Sequence, residues 1–251
     1  MTKMPVMFLK REGRPDIAYQ RTEGKNAVLP TVVFMGGFRS DMTGTKAEFL
    51  SEACAARGQN YVRFDYSGHG QSGGDFLEGT IGAWLDDALA VVDTMTEGPL
   101  ILVGSSMGGW IALRAALERK ELVKGLIGLA AAPDFTRDIP RMMTDAQKEE
   151  MESKGYFTEP NEYDSSYIFT RKLLEEGERH CVLDGPIRID CPVRLIQGMK
   201  DSDVPWQTAQ RIADALTTTN KKVYLREEGT HRLSSEDDLA LLDALVTELS
   251  A

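Results

Sequence analysis

The chain has 251 residues, 42% of them hydrophobic, with 29 Lys+Arg against 39 Asp+Glu and a formal net charge of −10. That length holds one large domain or two small ones with ample surface to bury, and an isoelectric point near 4.9 argues against a nucleic-acid partner, because grip on phosphates rests on Lys and Arg. Cys54, Cys181 and Cys191 are odd in number and lack zinc-knuckle or Cys-x-x-Cys spacing, so neither a disulfide scaffold nor a cysteine metal site is expected.

The first sixteen residues carry Lys3, Lys10, Arg11 and Arg14 without an apolar run of signal-peptide length, and no later stretch reaches the length that spans a membrane. The expectation is a soluble protein of a reducing compartment. In chain order, residues 7–9 and 17–20 read as an antiparallel hairpin at a sheet edge. Runs of β-branched and aliphatic residues at 31–36, 61–65, 100–104, 126–131, 193–198 and 222–225 read as strands. Between and after them, residues 46–57, 81–95, 108–117, 207–216 and 236–249 place apolar side chains at three- and four-residue steps, the helical period. The last of these aligns Leu239, Leu242, Leu245, Val246 and Leu249 on one stripe. Strands alternating with helices of that length imply parallel strands joined by crossovers, an α/β sheet covered on both faces.

Residues 134–184 break the rhythm. They are too long for a simple crossover and too patterned for a linker, and they read as an inserted cap on a core formed by residues 1–133 and 185–251. The insert holds 13 Asp+Glu against 7 Lys+Arg, more than half of the chain's excess negative charge. It also holds six aromatic residues: Phe135, Tyr156, Phe157, Tyr163, Tyr167 and Phe169. Two helices are expected there, one opened by Thr144 as N-cap and running past Met151, the other from Ser165 or Ser166 to about Glu178.

The chemistry begins at the end of the 100–104 strand, where Gly104-Ser105-Ser106-Met107-Gly108 forms Gly-x-Ser-x-Gly at the junction with a helix. A sharp turn there lifts Ser106 into the open at a helix N-terminus, whose dipole favours an oxyanion. A serine hydroxyl is a weak nucleophile and needs a histidine base oriented by an acid. Of three histidines, His69 lies in a tight glycine-rich loop that suggests a structural role, and His180 lies in the charged insert and reads as solvated. His231 follows the last strand, at the carboxyl end where an α/β site assembles, and is the candidate base. Asp201, three residues after Gly198, is the candidate acid, with Asp203 as competitor. The order serine, acid, histidine is the order of an α/β-hydrolase. Two backbone N–H groups are needed for the oxyanion: Met107 follows the nucleophile, and Phe38 follows the Gly36-Gly37 turn that ends the first core strand.

With these pieces assembled, the chain resembles the α/β-hydrolase superfamily over nearly its whole length. Within it, the chain is similar to the small branch that holds the mitochondrial mycophenolic acid acyl-glucuronide esterase, also described as a palmitoyl-protein thioesterase. The residues behind the likeness are Gly36-Gly37-Phe38-Arg39-Ser40-Asp41-Met42-Thr43-Gly44-Thr45-Lys46-Ala47, Asp65-Tyr66-Ser67-Gly68-His69-Gly70, the serine turn through Trp110, Gly198-Met199-Lys200-Asp201, Val204-Pro205-Trp206 and His231-Arg232. The resemblance implies an α/β-hydrolase fold, a mostly parallel central sheet flanked by helices with a helical cap. It also implies a serine hydrolase of carboxylic esters or thioesters, with Ser106, Asp201 and His231 as triad and no metal or organic cofactor. The partner it implies is a small-molecule ester or thioester, or an acylated protein, with the chain a monomer or homodimer. Because the chain starts close to its first strand, without the Ser- and Arg-rich, acid-poor start of an organellar presequence, a bacterial cytoplasm is the expected location.

Met142, Met143, Met151, Phe157 and Phe169 offer lining for an acyl pocket or, equally, packing faces for the cap. Arg137 and Arg141 offer a partner for an acidic leaving group or simply solvated surface charge, and Arg39 a substrate-facing or loop-fixing role. Three rivals remain at this stage: carbon–carbon bond hydrolysis, release of an N-terminal residue from a peptide, and non-catalytic binding of a small molecule on a hydrolase scaffold. Dehalogenase and epoxide hydrolase chemistry is disfavoured because those branches use an aspartate where this chain has Ser106.

Overall fold

The computed structural model describes residues 4–26, 28–160 and 166–251. Six strands come first: β1 (Met7–Leu9), β2 (Ile17–Thr22), β3 (Thr31–Met35), β4 (Tyr61–Phe64), β5 (Leu100–Ser105) and β6 (Val123–Leu129). A short hairpin of β7 (Tyr156–Pro160) and β8 (Ser166–Thr170) follows, then β9 (Val193–Gly198) and β10 (Lys221–Arg226). Among the described residues all but the hairpin join one sheet in the order β1-β2-β4-β3-β5-β6-β9-β10. From β4 to β10 the pairs are parallel, while β2 is antiparallel to both β1 and β4. The edge hairpin expected from the sequence is therefore present.

The inner strands β3, β4, β5 and β9 are buried along their length, as a sheet covered on both faces requires. Helices α1 (Thr45–Arg57), α2 (Ile81–Met95) and α3 (Met107–Glu118) supply the first covering. One apolar layer joins Val32, Phe34, Ile101, Val103 and Ile127 of the sheet to Ala47, Leu50 and Cys54 of α1. The opposite layer joins Val33, Met35, Leu100 and Leu102 to α2 and α3, with Trp84 and Trp110 fully buried.

In the insert, α4 (Phe135–Met142) and α5 (Asp145–Lys154) precede the hairpin, and α6 (Arg171–Gly177) follows it. Thr144 caps α5 through a reciprocal box with Gln147, as its sequence position predicts. The second predicted helix is corrected: residues 166–170 are strand β8, and α6 starts only at Arg171, capped by the Thr170 hydroxyl. Tyr167, Ile168, Phe169 and Thr170 are aromatic or β-branched and favour an extended, half-buried strand, which finds its partner in Tyr156–Pro160. Ser165 and Tyr163, singled out above, lie outside the described residues. Buried Asp134 ties the two ends of the insert, its carboxylate accepting the N–H groups of Val182 and Leu183 at 2.9 Å each.

The chain ends with α7 (Gln207–Ala215) and α8 (Glu236–Ser250). Ser235 and Asp238 cap α8 reciprocally, and Glu236, Asp237 and Asp238 place negative charge at its N-terminus. Leu242, Leu245 and Val246 of its predicted stripe enter the α1 layer. The loops after β3, β5, β9 and β10 thus all emerge at the carboxyl edge of the sheet, where crevices in open α/β sheets form.

Candidate active site

Between β5 and α3, Ser106 takes φ 54° and ψ −120°, a conformation sparsely populated by non-glycine residues. The turn is pinned on both sides: the Ser106 N–H donates to the Leu129 carbonyl at 2.9 Å, and its carbonyl accepts from Gly109 at 2.8 Å and Ala132 at 3.1 Å. A Cβ at Gly108 would stand 2.1 Å from the Met35 carbonyl oxygen. Only hydrogen at that position lets α3 close on the end of β3.

His231, in the loop between β10 and α8, sets its Nε2 3.1 Å from the Ser106 hydroxyl. Its Nδ1 stands 2.9 and 3.1 Å from the two carboxylate oxygens of Asp201, whose side chain is wholly buried. Burial alone would raise the Asp201 carboxyl, but the hydrogen bond and charge of His231 and the N–H groups of Val204 and Asp203 hold it below the ordinary range. Gln197, at 0% exposure on β9, donates from Nε2 at 2.8 Å to Asp201 Oδ2, the same oxygen that His231 Nδ1 approaches at 2.9 Å, and at 3.2 Å to the Val204 carbonyl. Gln197 was not among the residues expected at the site. The one amide of a strand buried along its length, three residues past the equally buried Arg194, is the signal that marks it, since buried amides need partners. Asp203, the competing acid, is not on the Nδ1 side; its carboxylate is 3.9 Å from Nε2 and partly exposed.

The loop after β3 runs beside the serine: a Cβ on Gly37 would lie 3.4 Å from Ser106 Cβ. Met107 opens α3, where the first N–H groups of a helix have no intrahelical acceptor. The Phe38 ring is the hub of an aromatic cluster, with centroids of Phe76, Trp84, Phe135, Tyr167 and Phe169 between 5.1 and 6.0 Å away. Three of those rings belong to the insert, so the insert rests directly on this loop. Asp65 joins the loop to its neighbour, accepting the Met42 N–H at 2.7 Å on one oxygen and the Gln71 N–H at 2.7 Å on the other.

The other charged candidates are partly corrected. His180 is largely buried, not solvated, with Nε2 2.6 Å from Glu176 and its carbonyl accepting from the Trp110 indole. Arg137 pairs with Glu178 at 2.8 Å and with Asp184, while Arg141 is exposed beside Asp138. Arg39 lies over the Phe76 ring at 5.1 Å. Met151, Phe157 and Phe169 pack in the core, whereas Met142 is 71% exposed.

The pattern of the family described as serine aminopeptidase, S33, matches residues 27–172, more than half of the chain. The palmitoyl-protein thioesterase ABHD10 of Bos taurus, a mitochondrial protein by name, is 41% identical over 99% of this chain and 82% of its own length. The chain belongs to the α/β-hydrolase family. The solved structure of mouse α/β-hydrolase domain-containing protein 10 superposes with a TM-score of 0.90 at 40% identity, covering 98% of both chains. A solved structure from Agrobacterium vitis S4 superposes with a TM-score of 0.93 at 40% identity over 99% of both. This α/β-hydrolase is accordingly a hydrolytic enzyme. The expected cytoplasmic location is corrected by the same likeness, because the ABHD10 proteins of Bos taurus, Mus musculus and Homo sapiens that align over nearly all of the chain are named as mitochondrial. No described helix is long and apolar enough to cross a membrane.

Proposed function

We propose that Ser106, His231 and Asp201 are the catalytic triad of a carboxylic thioester and ester hydrolase. The observation that carries the reading is the unbroken relay from the Ser106 hydroxyl to His231 Nε2 at 3.1 Å and from Nδ1 to Asp201 at 2.9 Å, at the crest of a strained turn. His231 takes the hydroxyl proton as Ser106 Oγ attacks the acyl carbon, and Asp201 stabilises the imidazolium. The N–H groups of Phe38 and Met107 hold the oxyanion. The tetrahedral intermediate collapses to an acyl-serine as the thiolate or alkoxide leaves with the proton from His231. Water, deprotonated by His231, then releases the carboxylic acid and restores Ser106.

Residues 134–184 serve as a cap over this centre, supported by the contact of Phe135, Tyr167 and Phe169 with the Phe38 ring. The thioester class is supported by the activity in the name of the relatives aligned over nearly the whole chain. The aromatic surroundings of Phe38 suit an apolar acyl chain better than a charged one.

The test is hydrolysis of short- and long-chain p-nitrophenyl esters, a palmitoyl thioester and an acyl-glucuronide by the wild type and Ser106→Ala. Turnover by the wild type and none by a folded variant is the expected result. A folded wild type that turns over none of them and resists a fluorophosphonate would leave a non-catalytic binding pocket as the better reading.

A further inference from the structure

The turn Asp65-Tyr66-Ser67-Gly68-His69-Gly70 takes no part in the chemistry above, yet it holds a histidine that is only 4% exposed. The His69 ring is edge-on to Tyr66, Phe76 and Trp84, with centroids 5.7, 5.1 and 5.1 Å away. Inside this apolar enclosure its Nε2 accepts the Arg39 N–H at 3.2 Å, and its Nδ1 lies 3.3 Å from the Ser67 carbonyl oxygen. Those two partners fix the tautomer: the proton is on Nδ1, donated to Ser67, and the Nε2 lone pair faces Arg39. An imidazolium has no lone pair to offer. Burial keeps the ring neutral, driving its pKa down to about 4.

Arg39 follows Phe38 and has φ 56°, in the left-handed region that a residue with a Cβ enters at a cost of roughly 1 kcal/mol or more. The Ser40 N–H closes a turn around it by donating to the Gly37 carbonyl at 3.2 Å, and the Arg39 N–H finds its acceptor outside the loop, on His69. The peptide joining Phe38 to Arg39 is planar, so anchoring its N–H on the His69 ring sets the plane beside Phe38. The Phe38 ring, held in the same aromatic cluster, limits the remaining rotation. Together the two anchors set the direction of the Phe38 N–H.

We propose that His69 is a positioning residue of the oxyanion loop, the acceptor that holds the Phe38–Arg39 peptide so that the Phe38 N–H faces the acyl oxygen on Ser106. This rests on the reading of Ser106 as nucleophile and Phe38 as donor.

The experiment compares wild type, His69→Gln, His69→Leu and His69→Met for kcat and KM on a palmitoyl thioester, the rate of fluorophosphonate inactivation, and thermal unfolding. Phosphonylation places an oxygen in the same hole, so it reports the hole directly. Losing one oxyanion donor outright costs roughly 100- to 1000-fold. A donor left mobile is expected to cost about 10- to 100-fold in kcat and in inactivation rate, with KM within about threefold. A glutamine side chain supplies a carbonyl acceptor near the same place, and His69→Gln is expected to recover most of the loss. A folded Leu or Met variant with wild-type kcat would overturn the proposal. So would a folded His69→Gln as impaired as those two. Loss of folding in both non-accepting variants, with His69→Gln folded, would also overturn it by assigning His69 to the core. A wild type that fails to react with the fluorophosphonate would sink the nucleophile reading instead, a different outcome from any of these.

Discussion

The ring of Phe38, on the loop beside Ser106, lies parallel to that of Phe169 in the insert hairpin, with centroids 5.2 Å apart. The hairpin therefore braces the loop that is proposed to bind the oxyanion. Phe169 is 7% exposed and also meets Phe157 at 5.3 Å, so Phe169→Ala is expected to cost about 3–5 kcal/mol of stability through lost burial and the cavity left behind. It is also expected to lower kcat at temperatures where the variant is still folded, because Phe38 loses one wall. Phe169→Leu retains most of the volume and should recover both. Denaturant melts and kcat measured side by side check this; an alanine variant of wild-type kcat would separate the hairpin from the loop.

Gln197 bears on the acid in a comparable way. Its amide donates to the Asp201 oxygen at 2.8 Å inside a buried strand. Gln197→Leu removes a donor from a carboxylate that burial already penalises, so Asp201 is expected to be less well held and less acidic. A loss of about 10-fold in kcat with little change in KM is expected, since a hydrogen bond to a charged group contributes roughly 1.5–3 kcal/mol. Gln197→Glu, which sets a second carboxylate beside the first, should be worse than the leucine variant. Equal kcat for all three proteins would remove Gln197 from the site.

The sheet was legible because β-branched runs and helical stripes alternate cleanly, and the serine turn because its neighbours admit only glycine. Within residues 134–184 the Thr144 cap was legible but the hairpin was not. Residues 166–170 sit beside a helix-forming Arg171–Gly177 segment, and nothing local says where the strand stops; only the pairing of Phe157 with Phe169, twelve residues apart, decides it. His180 misled for a related reason. Its neighbours in sequence are charged, but Trp110 and Glu176 enclose it in space. Gln197 and the Arg39 contact of His69 were invisible because both depend on loops brought together by the sheet.

Lys46 gives a pH prediction. It sits in the first turn of α1, where positive charge opposes the helix dipole, and its ammonium donates to the Arg232 carbonyl, one residue past His231. Burial lowers its pKa to about 8, with Asp238 pulling it back up. An unfolded lysine holds its proton to about 10.4, so between those values the unfolded chain binds more protons and this group makes stability rise with pH. Lys46→Met should abolish that contribution, flattening the change in urea midpoint between about pH 7.5 and pH 9.5. The same variant is expected to lower kcat by loosening the His231 loop. An unchanged slope would mean that Lys46 is solvated in the folded protein.

Gly108 offers the sharpest test of how closely α3 must approach β3. A methyl there meets the carbonyl oxygens of Met35 at 2.1 Å and Gly36 at 2.4 Å, both backbone atoms that no rotamer change can move. Gly108→Ala must therefore push the α3 N-terminus away from the loop that begins at Gly36, parting the Met107 N–H from the Phe38 N–H. Overpacking of this kind costs about 1–3 kcal/mol or more, and the expected loss of activity exceeds that of unfolding, because the folded fraction carries a widened oxyanion hole. Gly185→Ala is the control: a methyl there meets nothing within 4 Å, and its stability should lie within about 0.5 kcal/mol of wild type. Fluorophosphonate inactivation of the two variants, normalised to the folded fraction from circular dichroism, makes the comparison. A Gly108→Ala protein that reacts as fast as Gly185→Ala would show that the hole tolerates the displacement and that Met107 is not one of its donors.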